Sequence, residues 1–212
     1  MYEDNMIRLL LVRHGVTPWN AQRRYQGHTN VPLSEQGLRQ AEALADRLAG
    51  EEIHAAYASD LQRAWETAHK LAAPHGLEVI QAAPLREIHF GDWEGLSYDE
   101  IEQRYPQEMA AWRSDPMKSA PPGGETLAEV SDRVGEVAAR LEADHQEETV
   151  LLVAHGGVLQ VLLCTLLGLN PRGRWQFRFD NASLSEIHVY GGGGILTLFN
   201  DTHHLTGLTG RS

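Results

Sequence analysis

Apolar positions along the chain fall into short unbroken runs separated by stretches of helical spacing. Ile7-Arg8-Leu9-Leu10-Leu11-Val12 is the first run, bounded by Arg13-His14-Gly15, and its length predicts a buried strand. Turn chemistry fills 15–34, through Thr17-Pro18, Gln26-Gly27 and Asn30-Val31-Pro32. Ser34 is placed to cap a helix reaching Leu48, with Leu38, Ala41, Ala45 and Leu48 on one face. A second strand is expected over 54–58, a helix capped by Ser59 or Asp60 and reaching Ala73, and a third strand over 77–80. Residues 84–124 are rich in loop signals, with short helices expected over 98–104 and 107–113 and a break at Pro121-Pro122-Gly123-Gly124. Thr126 caps a long amphipathic pattern reaching His145, with Leu127, Val130, Val134, Val137 and Leu141 in register. The run over 149–154 has the uninterrupted apolar character of a central parallel strand, and it passes through His155-Gly156-Gly157 into an apolar helix. Two alternating segments, 184–190 and 195–199, flank four glycines as a hairpin would, and the tail from Asp201 reads as loose.

Alternation of strand and helix predicts an α/β fold, a three-layer α/β/α sandwich with a mainly parallel central sheet. The chain of 212 residues suits one domain over 1–212, with 84–124 as an inserted lid or specificity region too long for a plain connection. The formal net charge of −11 disfavours nucleic acid and anionic membranes as partners. The single cysteine, Cys164, lies in an apolar run and reads as a core residue. No disulfide can form within the chain, Met1 to Arg8 lacks a signal-peptide pattern, and a cytoplasmic protein is expected. The last strands offer an edge on which a second copy could pair, so a homodimer is open.

In open α/β sheets, ligands bind beyond the carboxyl ends of the strands. Three predicted strand ends carry unusual polar residues: Arg13-His14, then Ser59-Asp60 leading to Arg63, and His155-Gly156; Glu87 follows the third strand. Each alone has an ordinary structural explanation. Together, two histidines, two arginines and a carboxylate on one rim would give an acidic protein a local basic pocket for a phosphate dianion, which arginine grips bidentately. His203-His204 has no third ligand beside it, and neither a His-Glu-x-x-His nor a Walker-type loop occurs, so no metal and no cofactor is expected. Trp19, Trp93, Tyr98, Tyr105 and Trp112 are candidates for a substrate mouth.

The segment from Leu11 to Asn20, Leu-Val-Arg-His-Gly-Val-Thr-Pro-Trp-Asn, resembles the signature of the histidine phosphatase superfamily, which includes the cofactor-dependent phosphoglycerate mutases. Gln26-Gly27, Pro32-Leu33-Ser34-Glu35-Gln36-Gly37, Ser59-Asp60-Leu61-Gln62-Arg63-Ala64, the block from Leu85 to Gly95 and Val153-Ala154-His155-Gly156-Gly157 resemble its later blocks, in order. The resemblance implies a phosphohistidine on His14 and Glu87 as general acid and base. It implies Arg13, Arg63 and His155 as partners of the phosphoryl oxygens, with Asn20, Gln26, Gly27 and Gly156 around them and a small phosphomonoester as substrate. Burial would suit Glu87 to its acid role, and Ser59 would brace the site. Between the acid and the second histidine, Arg113 and Lys118 face Glu94, Asp99, Glu100, Glu102, Glu108 and Asp115. That balance resembles the phosphatase branch, with alpha-ribazole phosphatases among members of similar length, more than the mutases, which remain the runner-up. A non-catalytic phosphate-binding protein is the third reading. The acidic rim argues against multiply charged substrates.

Overall fold

The computed structural model describes residues 6–191 and 193–208. The first strand, β1, spans Ile7–Arg13 and is followed by a one-turn helix, α1 (Pro18–Ala21), and by α2 (Glu35–Leu48). Next come β2 (Ala55–Ala58), α3 (Gln62–Ala72) and β3 (Val79–Gln81). The 84–124 region holds α4 (Tyr98–Arg104) and α5 (Pro106–Ser114). Helix α6 (Leu127–Asp144), β4 (Thr149–Ala154), α7 (Gly156–Leu166) and the pair β5 (Leu184–Tyr190) and β6 (Gly193–Asp201) complete the order.

The six strands form one sheet in the order β3-β2-β4-β1-β5-β6. β1, β2, β3 and β4 pair in parallel, while β5 runs antiparallel to both β1 and β6. Alternate side chains point to opposite faces of a strand, and the two cores follow from that. Leu9, Leu11, Val150 and Leu152 pack on one face with α6 and α7. Leu10, Val12, Leu151 and Val153 pack on the other with α2 and α3. This is the expected three-layer α/β/α sandwich. Every residue of β4 is buried, as its unbroken apolar run predicts.

The 84–124 region is not set apart from this body. Ile88, Trp93, Ile101, Met109 and Trp112 are buried in the same core as α6 and α7. Two local expectations are corrected. Neither Ser59 nor Asp60 caps α3: the N-cap is Leu61, without a side-chain cap, and the Gln62 amide donates instead to Asn30 Oδ1 at 2.7 Å from a distant loop. The tail is ordered through 208. Asp201 ends β6 and pairs with Arg47 at 2.5 Å, and Leu205 is buried in a short helical turn, His203–Leu205. Residues 209–212, the end of that predicted tail, lie outside the described residues.

Candidate active site

Strand register brings the two histidines together. Arg13 pairs with Ala154 across β1 and β4, and the His14 amide donates to the Ala154 carbonyl at 3.0 Å. The residues that follow, His14 and His155, therefore emerge side by side, with ring centroids 5.1 Å apart. From β2 the Ser59 amide bonds Val153 O, and the chain then turns so that Arg63 enters from the first turn of α3.

Arg63 is completely buried. Its Nη2 donates to Gly27 O at 2.8 Å, Nη1 to Thr29 O at 2.9 Å, and Nε to His155 Nδ1 at 3.2 Å. Burial pushes its pKa down to about 10, against the fields of Glu87 and Glu94. Since His155 Nδ1 accepts from Arg63, the proton of the neutral ring sits on Nε2, and that buried N–H has no partner among the described residues. His14 has the opposite tautomer. Its Nδ1 lies 2.7 Å from the carbonyl of Gly15, which can only accept, so Nδ1 carries the proton and Nε2 the lone pair. Burial pushes the pKa of His14 well below the ordinary histidine value, and Arg63 and Arg13 push it the same way. His155 is lowered for the same reasons, burial first. Arg13 donates through Nη1 to Phe179 O at 2.7 Å, while its buried Nε has no partner among the described residues.

The carboxylate of Glu87 closes the cluster from the other side. Oε2 accepts from the Gly157 amide at 3.0 Å, and Oε1 from the amides of Val158 at 3.1 Å and Ile88 at 2.9 Å. Two of these donors belong to the first turn of α7, where the helix dipole favours an anion. The expectation that burial sets up this residue is therefore replaced: Glu87 is only partly buried and is held by backbone amides. Gly157 is required by this approach, because a Cβ there would lie 2.6 Å from Glu87 Oε1.

Arg13, Asn20, Glu87 and Gly156 line an open cleft of about 590 Å³, which Trp175, Phe177 and Phe179 also line. His14, Arg63 and His155 are buried and do not form its wall. Asn20 forms a capping box with Thr17, and its Oδ1 also accepts from Asn181 Nδ2 at 3.1 Å. Gln26 is buried and accepts from Thr17 Oγ1 at 2.9 Å. Gly27, at φ 36°, holds Arg63 through its carbonyl, and a Cβ there would collide with the Glu94 carboxylate. Ser59 Oγ accepts from the Leu61 amide at 3.3 Å and touches no member of the cluster by hydrogen bond.

None of the five expected aromatics lines this cleft. Trp93 and Trp112 are buried in the core, while Tyr98 is largely exposed. Apolar clusters in the 84–124 region bind that region down instead, and the cleft takes its aromatics from 175–179. His203 and His204 form a short helical turn, with His204 Nε2 at 2.9 Å from Ala182 O, and no group of three metal-ligating side chains occurs among the described residues. Cys164 is buried.

Four supporting residues escape sequence reasoning. Arg133 of α6 donates to the carbonyls of Pro84, Arg86 and Glu87 and pairs with Glu125 at 3.0 Å, clamping the segment that carries Glu87. Glu94 accepts from the amides of His28 and Thr29, fixing the loop that holds Arg63. Asn181 donates to His14 O at 3.1 Å. Arg174 donates to Gln160 Oε1 at 3.0 Å near Glu87. Each acts through tertiary contacts that no local spacing announces; only the placement of Glu94 in the acidic block was visible.

An anion with several oxygens is the ligand that would satisfy the two orphaned N–H groups beside a neutral imidazole lone pair. Comparison with known proteins bears on this geometry. Residues 9–202 match the family model of the histidine phosphatase superfamily, branch 1. Phosphoserine phosphatase 1 of Hydrogenobacter thermophilus is 37% identical, covering 94% of this chain and 95% of its own length. A glucosyl-3-phosphoglycerate phosphatase of Mycobacterium tuberculosis is 40% identical over 85% of this chain and 84% of its own. The crystal structure of the alpha-ribazole phosphatase from Shigella flexneri superposes with a TM-score of 0.85 at 33% identity, over 92% of this chain and 96% of that one. The chain is therefore a member of the histidine phosphatase superfamily, branch 1.

Proposed function

We propose that the protein is a metal-independent phosphomonoesterase that works through a phosphohistidine on Nε2 of His14. The observation that carries this reading is the tautomer: Nδ1 is tied to the Gly15 carbonyl, leaving the Nε2 lone pair among Arg13, Arg63 and His155. That lone pair attacks phosphorus in line as the bond to the leaving oxygen breaks, and the leaving oxygen takes a proton from Glu87. Arg13 Nε and His155 Nε2–H, both without protein partners among the described residues, meet the equatorial oxygens. The proton that Glu87 gives up in this step enters with the substrate, bound as the monoanion of the phosphomonoester. In the second half, Glu87 removes a proton from water, the hydroxide oxygen joins phosphorus, and the bond to Nε2 breaks to release orthophosphate.

The arginines supply the positive charge that a metal supplies in other phosphoryl-transfer sites, and the small-molecule substrate fits an open cleft of about 590 Å³. Access of water through that cleft favours hydrolysis over transfer back to a second alcohol. In this reading the 84–124 region supplies Glu87 and, through Glu94, holds the loop whose carbonyls bind Arg63. Turnover of p-nitrophenyl phosphate with EDTA present tests it. Activity should persist with chelator and be lost in His14→Ala; loss with chelator alone, or survival of the substitution, would contradict it. A coupled assay with 3-phosphoglycerate and a bisphosphoglycerate primer should give faster phosphate release than isomerisation.

A further inference from the structure

Three of the six acidic residues of the rim read from the sequence are paired with arginines within the fold. Asp115 pairs with Arg172 at 2.6 Å, Glu102 with Arg113 at 3.7 Å and Glu100 with Arg24 at 3.0 Å, while Glu94 is consumed by backbone amides. Arg174 differs from these arginines. Among the described residues the one hydrogen bond of its guanidinium is to the neutral amide oxygen of Gln160, and no carboxylate is in ion-pair contact with it. Gln160 is itself fixed, donating through Nε2 to Phe177 O at 2.6 Å. Both residues sit just beyond the turn of α7 that holds Glu87.

Arg174 borders a second cavity of about 330 Å³ with Trp112, Arg113, Arg172 and Trp175. Trp175 lines this cavity and the catalytic cleft alike, so the two adjoin. Trp175 is 75% exposed, a large apolar side chain left open to solvent among the described residues. Burial lowers the pKa of Arg174, but an arginine starts so high that it stays charged at neutral pH. A largely buried guanidinium with no carboxylate in ion-pair contact among the described residues, reached by Glu87 only through its longer-range field and set next to an uncovered indole, is an incomplete site.

We propose that Arg174 and Trp175 form a leaving-group subsite that selects phosphomonoesters whose alcohol carries a carboxylate. The inference rests on the phosphomonoesterase reading and adds a substrate class to it. The phosphoryl group enters toward His14, the body of the alcohol lies against Trp175, and the carboxylate meets the free N–H groups of Arg174. The neutral amide of Gln160 orients this guanidinium without neutralising it, so it is a positioning residue.

Two matched pairs of esters test the subsite: 3-phosphoglycerate against glycerol 3-phosphate, and 4-carboxyphenyl phosphate against phenyl phosphate. Each is measured as an inhibitor of p-nitrophenyl phosphate turnover and as a substrate. Wild type should favour the carboxylate member of at least one pair. In Arg174→Ala that preference should collapse by about 10- to 100-fold, the size of one charge-assisted bond, mostly in KM. Arg174→Lys should restore part of it, and Trp175→Ala, at an exposed position, should weaken the aryl pair more than the glycerol pair. No carboxylate preference in wild type, or equal losses on both members in Arg174→Ala, overturns the subsite and leaves the phosphatase reading standing. Absence of phosphate release from p-nitrophenyl phosphate overturns the reading beneath it.

Discussion

A histidine is a nucleophile only in one tautomer and one charge state, and both are set by neighbours a few ångströms away. The Gly15 carbonyl selects the tautomer of His14, while burial and two guanidiniums keep the ring neutral. The ring is active when unprotonated, and its pKa lies well below the ordinary histidine value of 6.5. The acid limb of kcat/KM that belongs to His14 should therefore fall below that value; a limb at or above it would contradict the burial argument. At Gly157, an alanine Cβ would lie 2.6 Å from Glu87 Oε1 and 2.9 Å from Ile88 Cδ1. Gly157→Ala should lower kcat about 10- to 100-fold by displacing the carboxylate, with little change in the circular dichroism spectrum. Unchanged kcat would mean that Glu87 does not need this position. Arg13, His14 and His155 were visible in the sequence because each stands at the end of an apolar run. Trp175 was not, because an indole in a turn gives no sign of which cavity it borders.

At the level of elements, the site depends on one clamp. Arg133 reaches from α6 across to three carbonyls of 84–87 and to Glu125, so the loop bearing Glu87 is tied to a helix on one face of the sheet. Arg133→Ala takes this donor from the Pro84 and Arg86 carbonyls, while Glu87 O keeps His28 Nε2 at 2.9 Å, and should cost about 1–3 kcal/mol of stability, with about a tenfold loss in kcat/KM. Arg133→Lys should rescue little, since one ammonium cannot reproduce a fork that serves several acceptors. Denaturant unfolding with kinetics checks both; full rescue by lysine would contradict the clamp. Strands and long helices were legible because burial imposes periods of two and 3.6 residues. The start of α3 was misplaced because its first amide is capped from Asn30, far along the chain, and Ser59 turned to the Leu61 amide instead. The 201–208 segment was misread because its order comes from the Arg47–Asp201 pair and from Leu205, and neither contact has a local signature.

On the scale of the whole molecule, a protein of net charge −11 gathers two arginines and two neutral histidines at the carboxyl ends of its central strands. That arrangement carries a stability signature. His14 and His155 have folded pKa values well below the 6.5 of a free histidine. Between those values the unfolded chain binds more protons than the folded one, so stability rises with pH across the window. The stabilisation is fully present above about 6.5 and is lost as pH falls toward the folded values. Tm measured from about pH 8 to about pH 5 should drop more steeply for wild type than for the double variant His14→Asn, His155→Asn; parallel curves would contradict it. No helix among the described residues is long and apolar enough to cross a membrane. The layered fold was legible because alternation along β1 and β4 commits each strand to two cores, whereas the antiparallel placement of β5 between β1 and β6 depends on pairing that periodicity does not encode.

The covalent intermediate is the centre of the mechanism, and it can be caught. Mixing enzyme with a phosphomonoester, quenching into alkali within milliseconds and mapping peptides by mass spectrometry should place one phosphoryl group on His14, stable to base and lost in acid, formed and consumed at rates that support turnover. Turnover with no phosphoryl-enzyme at any time point, or with the group on another residue, would contradict the account.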